Sequence, residues 1–136
     1  MGLLNLCYAY EKTNQSAIFV NFSTSEIFGK ISIGSTNENT PAVLEPATSL
    51  RGSYAASKFL TEHLVMAFHR EKGLRGINVR PYNVYGWGQV GENAINSFVN
   101  NALSGIDIVI NGNGTQIRDW CYIDDFIDVL MQIVLD

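Results

Sequence analysis

The sequence predicts an α/β domain organised on a parallel sheet. Helical and extended patterns alternate along the chain, in the order helix, strand, long loop, helix, strand, helix, strand, helix. That alternation belongs to strands joined by helical crossovers. The apolar run Ala17-Ile18-Phe19-Val20 has strand length and no polar residue inside it, as in a strand covered on both faces. Residues 53–73 read as one long helix closed by a glycine.

Residues 2–12 place Leu3, Leu6, Cys7 and Tyr10 at i, i+3, i+4 and i+7, a helical stripe. Asn14-Gln15-Ser16 is a turn, and residues 17–23 form the buried strand. Residues 30–52 collect Gly, Ser, Asn, Thr and all but one of the prolines. They form a long polar loop, and such loops in compact domains are commonly functional. The helix over 53–73 ends in basic residues and Gly73, which suit the negative end of the helix dipole and a left-handed cap.

Gly76-Ile77-Asn78-Val79-Arg80 reads as the next strand, and 81–86 as a loop at its carboxyl end. Residues 92–104 form an amphipathic helix stopped by Gly105, followed by a short strand over 106–110. Asn111-Gly112-Asn113-Gly114 has the composition of a hairpin turn. Residues 120–123 are extended, and Asp124-Asp125 open a helix that runs to the end, with acids well placed in its first turn.

A chain of 136 residues suffices for one domain with a core. Nine basic residues stand against thirteen acidic ones, a net charge of −4, with no Lys/Arg cluster. Nucleic acid is therefore not an expected partner, because that binding runs on basic patches. Cys7 and Cys121 are far apart, and His63 and His69 are six apart, so neither pair has the spacing of a metal or redox motif. Asn-x-Ser/Thr triplets at Asn14, Asn21 and Asn113 are read as chance, since no signal peptide is recognisable. No apolar run reaches the length of a membrane span, and Leu6 occupies the position where myristoylation needs Ser or Thr. The expected compartment is the cytoplasm, with no membrane partner.

The strand over 17–23 leads into Ser23-Thr24-Ser25-Glu26, three hydroxyls and a carboxylate. In open α/β sheets ligands bind at the carboxyl edge of the strands, although a plain turn would also use Ser and Gly. Tyr54 and Lys58 lie four apart on the long helix and share a face. An ammonium beside a phenol favours the phenolate and lowers its pKa from about 10, which makes a usable general base. A Tyr-x-x-x-Lys pair alone also occurs on many solvated helix faces.

Together these motifs resemble the extended short-chain dehydrogenase/reductases, in their nucleotide-sugar epimerase/dehydratase branch. The resemblance covers nearly all of the chain. Ser23-Thr24-Ser25-Glu26-Ile27-Phe28-Gly29 resembles the family's Ser-Thr-x-Glu-Val-Tyr-Gly, and Tyr54-Ala55-Ala56-Ser57-Lys58 its Tyr-x-x-x-Lys. Arg80-Pro81-Tyr82-Asn83-Val84-Tyr85-Gly86 resembles its Arg-Pro-x-Asn-x-Tyr-Gly. The segment from Gly112 through Arg118-Asp119 to Asp125 resembles its Gly-x-Gly-x-x-x-Arg-Asp-x-x-x-x-x-Asp. The resemblance implies a Rossmann-like, doubly wound parallel sheet, NAD as cofactor, a nucleotide-diphosphate sugar as substrate, and a homodimer in the full-length protein through a bundle that includes the Tyr54 helix.

It also implies roles. Thr24 hydrogen-bonds the sugar 4-hydroxyl, Tyr54 takes its proton as C4 is oxidised, and Lys58 holds the nicotinamide ribose and keeps the Tyr54 pKa low. Ser23 and the backbone of Pro81 and Tyr82 line the nicotinamide pocket. Asn83 and Arg118 bind the diphosphate, for which a guanidinium fork is well suited; a surface ion pair of Arg118 with Asp119 is the plainer alternative. Ser25 faces the substrate where the family's dehydratases carry an Asp. A hydroxyl is a far poorer acid, so 4,6-dehydration is disfavoured. Thr24-Ser25-Glu26 resembles decarboxylases of nucleotide-linked uronic acids, with Glu26 catalytic, or a loop carboxylate bonded to backbone amides. Epimerisation and decarboxylation are the expected outcomes.

The family's Gly-x-x-Gly-x-x-Gly, its first strands and its C-terminal sugar-binding part find no counterpart in these 136 residues. Residues 1–136 are therefore read as the central part of such a domain, one whose sheet is incomplete. The polypeptide by itself is expected to be inactive and weakly folded, or completed by a partner. The alternative is a non-catalytic α/β remnant that binds a nucleotide sugar or another protein. Phe28 for the usual Tyr and Trp87 for a common Pro are minor departures.

Overall fold

The computed structural model describes residues 2–13, 16–29, 34–91 and 93–135. The expected turn at Asn14-Gln15, the start of the long loop at 30–33 and the first residue of the helix read over 92–104 lie outside the described residues. The chain forms two compact units, Met1–Pro81 and Tyr82–Asp136.

The first unit comprises helix α1 (Gly2–Lys12), strand β1 (Phe19–Phe22), a single 3-10 turn (Ser25–Phe28), helix α2 (Leu50–Lys72) and strand β2 (Gly76–Val79). Strands β1 and β2 pair in parallel, Phe19 opposite Gly76 and Phe22 opposite Val79, as the α/β reading predicts. Cys7 and Tyr10 of α1 meet Val65 of α2 and Leu74 in the core, with Leu3, Phe19 and Phe68 packed against them. The Tyr10 hydroxyl donates to Ala17 O at 2.9 Å and accepts from Arg75 N at 3.3 Å, so the only polar atom of that side chain is satisfied as it enters the core.

Helix α2 begins three residues before the expected position. The Ser49 hydroxyl caps it by accepting from Gly52 N at 3.2 Å. Gly52 is what hid this start, because glycine inside a helix is unfavourable. A Cβ there would stand 3.2 Å from both Glu45 O and Pro46 O, so glycine lets the incoming loop lie against the first turn. Gly73 closes the helix in the left-handed region, donating to His69 O and Phe68 O. Residues 34–49 contain neither helix nor strand, in keeping with the expected loop.

The second unit comprises β3 (Asn83–Tyr85), α3 (Ala94–Leu103), β4 (Trp120–Tyr122) and α4 (Ile123–Leu135). Strands β3 and β4 are parallel, Asn83 opposite Trp120 and Tyr85 opposite Tyr122. Asn93 caps α3 by accepting from Asn96 N at 3.0 Å, and Asp124 and Asp125 occupy the first turn of α4. Two expectations are corrected here. Residues 83–85, read as loop, are a strand, because β4 supplies a ladder. Residues 106–110, read as a strand, are irregular: Ile106, Ile108, Val109 and Ile110 are all exposed, and an apolar run without a pairing partner does not make a strand. Residues 111–114 do bend, but join no hairpin.

Among the described residues no helix is long and apolar enough to cross a membrane, and no group of three or more His, Cys, Asp or Glu could hold a metal ion.

Candidate active site

Parallel pairing brings the carboxyl ends of β1 and β2 side by side, and the pairing continues beyond them. Ser23 N donates to Val79 O at 2.7 Å and Ser25 N to Pro81 O at 3.1 Å. Ser23, Thr24, Ser25 and Pro81 thus share the edge where α/β sheets bind ligands. Thr24 is extended, and its Oγ1 accepts from Glu26 N at 3.3 Å, capping the 3-10 turn. Its hydroxyl proton remains available to a ligand. The turn is held from outside by Val43 N, which donates to Ile27 O at 2.8 Å. This approach explains the glycine that ends the motif: Gly29 has φ +64°, and a Cβ there would lie 2.5 Å from Val43 O.

Helix α2 brings Lys58 to this edge, with Tyr54 one turn before it on the same face. Lys58 Nζ donates to Phe22 O, the last residue of β1, at 2.8 Å. The same nitrogen stands 6.0 Å from the centroid of the Tyr54 ring. Tyr54 is 47% exposed, open to a ligand. The helix–strand contact therefore joins the two motifs that the sequence placed thirty-odd positions apart.

A buried polar layer supports the edge from behind. Asn21 Nδ2 donates to Asn78 Oδ1 at 2.8 Å and to Thr61 Oγ1 at 3.1 Å, across the β1–β2 ladder and to α2. Glu62 of α2, 5% exposed, receives both ends of the Arg80 fork, Nε on Oε1 at 2.9 Å and Nη2 on Oε2 at 2.7 Å. Arg80 also donates to Glu38 O at 3.1 Å and covers the Phe28 ring at 5.2 Å. Burial pushes the Glu62 carboxyl up. The Arg80 hydrogen bonds, the nearby Ser23 hydroxyl and the Arg80 and His63 charges outweigh it, so the group titrates below the ordinary Glu value. Ser23 itself is 3% exposed. Its Oγ helps to hold the Glu62 charge but completes no hydrogen bond of normal length and angle.

Among the described residues the Glu26 carboxylate meets a side chain and no backbone amide, unlike the plainer reading. It pairs with Arg51, Nη2 on Oε1 at 3.2 Å and Nε on Oε2 at 3.4 Å. In the second unit Asn83 Nδ2 donates to Asp119 O at 2.9 Å, so this side chain fastens β3 to the residue before β4. Tyr82 is 39% exposed. Arg118 is exposed and donates from Nη1 to Ile117 O at 3.0 Å. Among the described residues it forms no ion pair with Asp119, which sets aside the plainer alternative for Arg118.

Sequence reasoning gave no role to Arg51, Glu62 or Arg80. The signals were present: Arg51 stands three before Tyr54 and Glu62 four after Lys58 on one helix, and Arg80 ends a strand beside it.

A family model described as "NAD dependent epimerase/dehydratase family" matches residues 1–136. A dTDP-glucose 4,6-dehydratase of an Actinoplanes species is 37% identical over 107 residues, 79% of this chain and 32% of that protein. Among solved structures, UDP-glucuronic acid 4-epimerase from Bacillus cereus, in complex with UDP-glucuronic acid and NAD, superposes with a TM-score of 0.84 at 27% identity. It covers 98% of this chain, which in turn spans 40% of that one. A dTDP-glucose 4,6-dehydratase from Bacillus anthracis in complex with NAD gives the same score and identity, over 98% of this chain and 41% of its own. The chain thus spans about a third of the length of the curated relative and two fifths of these solved structures.

The residues present fit the nicotinamide-ribose end of NAD. The Lys58 ammonium has three donors and spends one on Phe22 O, which leaves two for a diol. The buried Ser23 Oγ lacks a completed bond beside them.

Proposed function

Because the chain belongs to the NAD-dependent epimerase/dehydratase family, we propose that it forms the C4-oxidising centre of an enzyme acting on a nucleotide-diphosphate sugar. NAD, when bound, supplies the oxidising power at C4. Thr24 donates its free hydroxyl proton to the sugar 4-oxygen and orients it. Tyr54 accepts the proton that the 4-hydroxyl loses and returns it on reduction. Lys58 uses its remaining donors on the ribose, while Ser23, Pro81 and Tyr82 border the nicotinamide. Asn83 and Arg118 bind the diphosphate. The observation that carries the reading is the Lys58–Phe22 contact, which joins the Tyr54 row to the strand end that bears Thr24.

The outcome is epimerisation at C4 or decarboxylation of a uronic acid, in preference to 4,6-dehydration. Dehydration needs an acid to protonate a leaving hydroxyl. The residue after Thr24 is Ser25, which carries no carboxyl group. Glu26 supplies the nearest carboxylate along the chain. The curated relative named above is a 4,6-dehydratase, and the similar solved structures include a 4-epimerase and a dehydratase, so the preference rests on the chemistry of Ser25 alone.

The test is product analysis by NMR after the full-length protein is incubated with NAD and, in turn, UDP-glucose, dTDP-glucose and UDP-glucuronic acid. A C4 epimer or a UDP-pentose is expected. A 4-keto-6-deoxy sugar would overturn the preference.

A further inference from the structure

The helix face that carries Tyr54 and Lys58 carries a third polar residue. Arg51, Tyr54 and Lys58 stand at i, i+3 and i+7 on α2, so they form one row. The outer two each reach the segment that leaves β1. Lys58 Nζ holds Phe22 O at 2.8 Å, two residues before Thr24. Arg51 holds Glu26 by two contacts, at 3.2 and 3.4 Å, two residues after it. Tyr54 lies between the anchors on the helix, and Thr24 lies between them on the opposing segment. Glu26 is moreover tied directly to Thr24, whose Oγ1 accepts its N–H.

The Arg51 side chain is 70% exposed and that of Glu26 35%. An ion pair so placed contributes little to folding. Two donors of one fork on two oxygens of one carboxylate do fix a direction.

We infer that Arg51 is a positioning residue of the reaction, acting through Glu26 to hold the Thr24 segment against the Tyr54 row. The inference rests on the proposed C4 oxidation. Without Arg51 the 3-10 turn keeps its backbone ties to Pro81 and Val43 but loses its ion pair to the Tyr54 row, and the Thr24 hydroxyl drifts relative to the phenol. Small misplacements of this kind are costly: about 1 Å costs on the order of a hundredfold in rate. Arg51 exerts this effect whether Glu26 only locates Thr24 or also touches the sugar.

The test is steady-state kinetics of the full-length protein with NAD and UDP-glucuronic acid, together with thermal melting. Arg51→Ala is expected to lower kcat about tenfold with KM within about twofold, a smaller loss than a full ångström would bring. In a Glu26→Ala background the further loss is expected to stay below about twofold, because both changes break one contact. Arg51→Lys, which keeps charge without the fork, should fall between. Unchanged kcat in Arg51→Ala would overturn the inference, as would a raised KM at full kcat or additive losses in the double variant. A kcat loss that tracks a lowered melting temperature would also overturn it and make Arg51 structural. If the wild type turns over none of UDP-glucuronic acid, UDP-glucose and dTDP-glucose, the C4-oxidation reading itself falls. If Tyr54→Phe removes turnover and Arg51→Ala does not lower it, only the Arg51 inference falls.

Discussion

Arg80 grips Glu62 through both ends of its guanidinium fork, at 2.9 and 2.7 Å, and so ties the residue after β2 to the middle of the Tyr54 helix. The Glu62 side chain is only 6% exposed. Removing one partner of a buried pair strands the other charge, which costs about 3–5 kcal/mol. Arg80→Ala is therefore expected to destabilise the protein by that order, and Glu62→Gln by less, since an amide can still accept from the fork. Chemical denaturation of the three proteins checks this.

The same pair sets a pH dependence. The folded Glu62 carboxyl titrates below its ordinary value, so its contribution is complete above the unfolded pKa, about 4.3. It is lost as pH falls from there through the folded pKa. The melting temperature of the wild type should thus drop below about pH 4.3 by more than that of Glu62→Gln. Parallel curves would mean that the pair does not control acid stability.

Gly29 sits at φ +64° and ψ −151°, a region open to glycine almost alone, where another residue costs on the order of 1–3 kcal/mol. Gly29→Ala also drives a Cβ against Val43 O. It should lower stability by at least that range and, because the 3-10 turn carries Thr24, reduce turnover as well. A fully stable Gly29→Ala protein would contradict the turn geometry.

The 136-residue polypeptide expressed by itself is expected to show no NAD turnover, because it holds no Gly-x-x-Gly-x-x-Gly to seat the pyrophosphate on a helix N-terminus. A coupled assay with UDP-glucuronic acid and UDP-glucose checks this, and measurable turnover would show that the cofactor is held otherwise.

Much of the candidate site was legible because its side chains lie at short, fixed offsets. Tyr54 and Lys58 are one helical turn apart, and Ser23-Thr24 follow a strand-length apolar run. What escaped depends on packing between distant positions. Arg51 meets Glu26 across 25 positions and Arg80 meets Glu62 across 18, and no local pattern announces such pairs. Strand β3 escaped because three residues behind a proline look like loop until β4 supplies hydrogen bonds. Residues 106–110 misled for the converse reason: a β-branched run has strand composition, but composition does not provide a neighbour.

Thr24, Tyr54 and Lys58 are the residues we propose as a C4-oxidising centre. The most direct measurement compares wild type and Tyr54→Phe in the full-length protein, with UDP-glucuronic acid and NAD, by single-turnover kinetics and by equilibrium binding. A rate loss of about 10²–10⁴-fold with affinity for the nucleotide sugar retained is expected. Turnover by Tyr54→Phe at the wild-type rate would remove Tyr54 from the reaction, and a wild type that binds the nucleotide sugar without ever oxidising it would be a binding module instead.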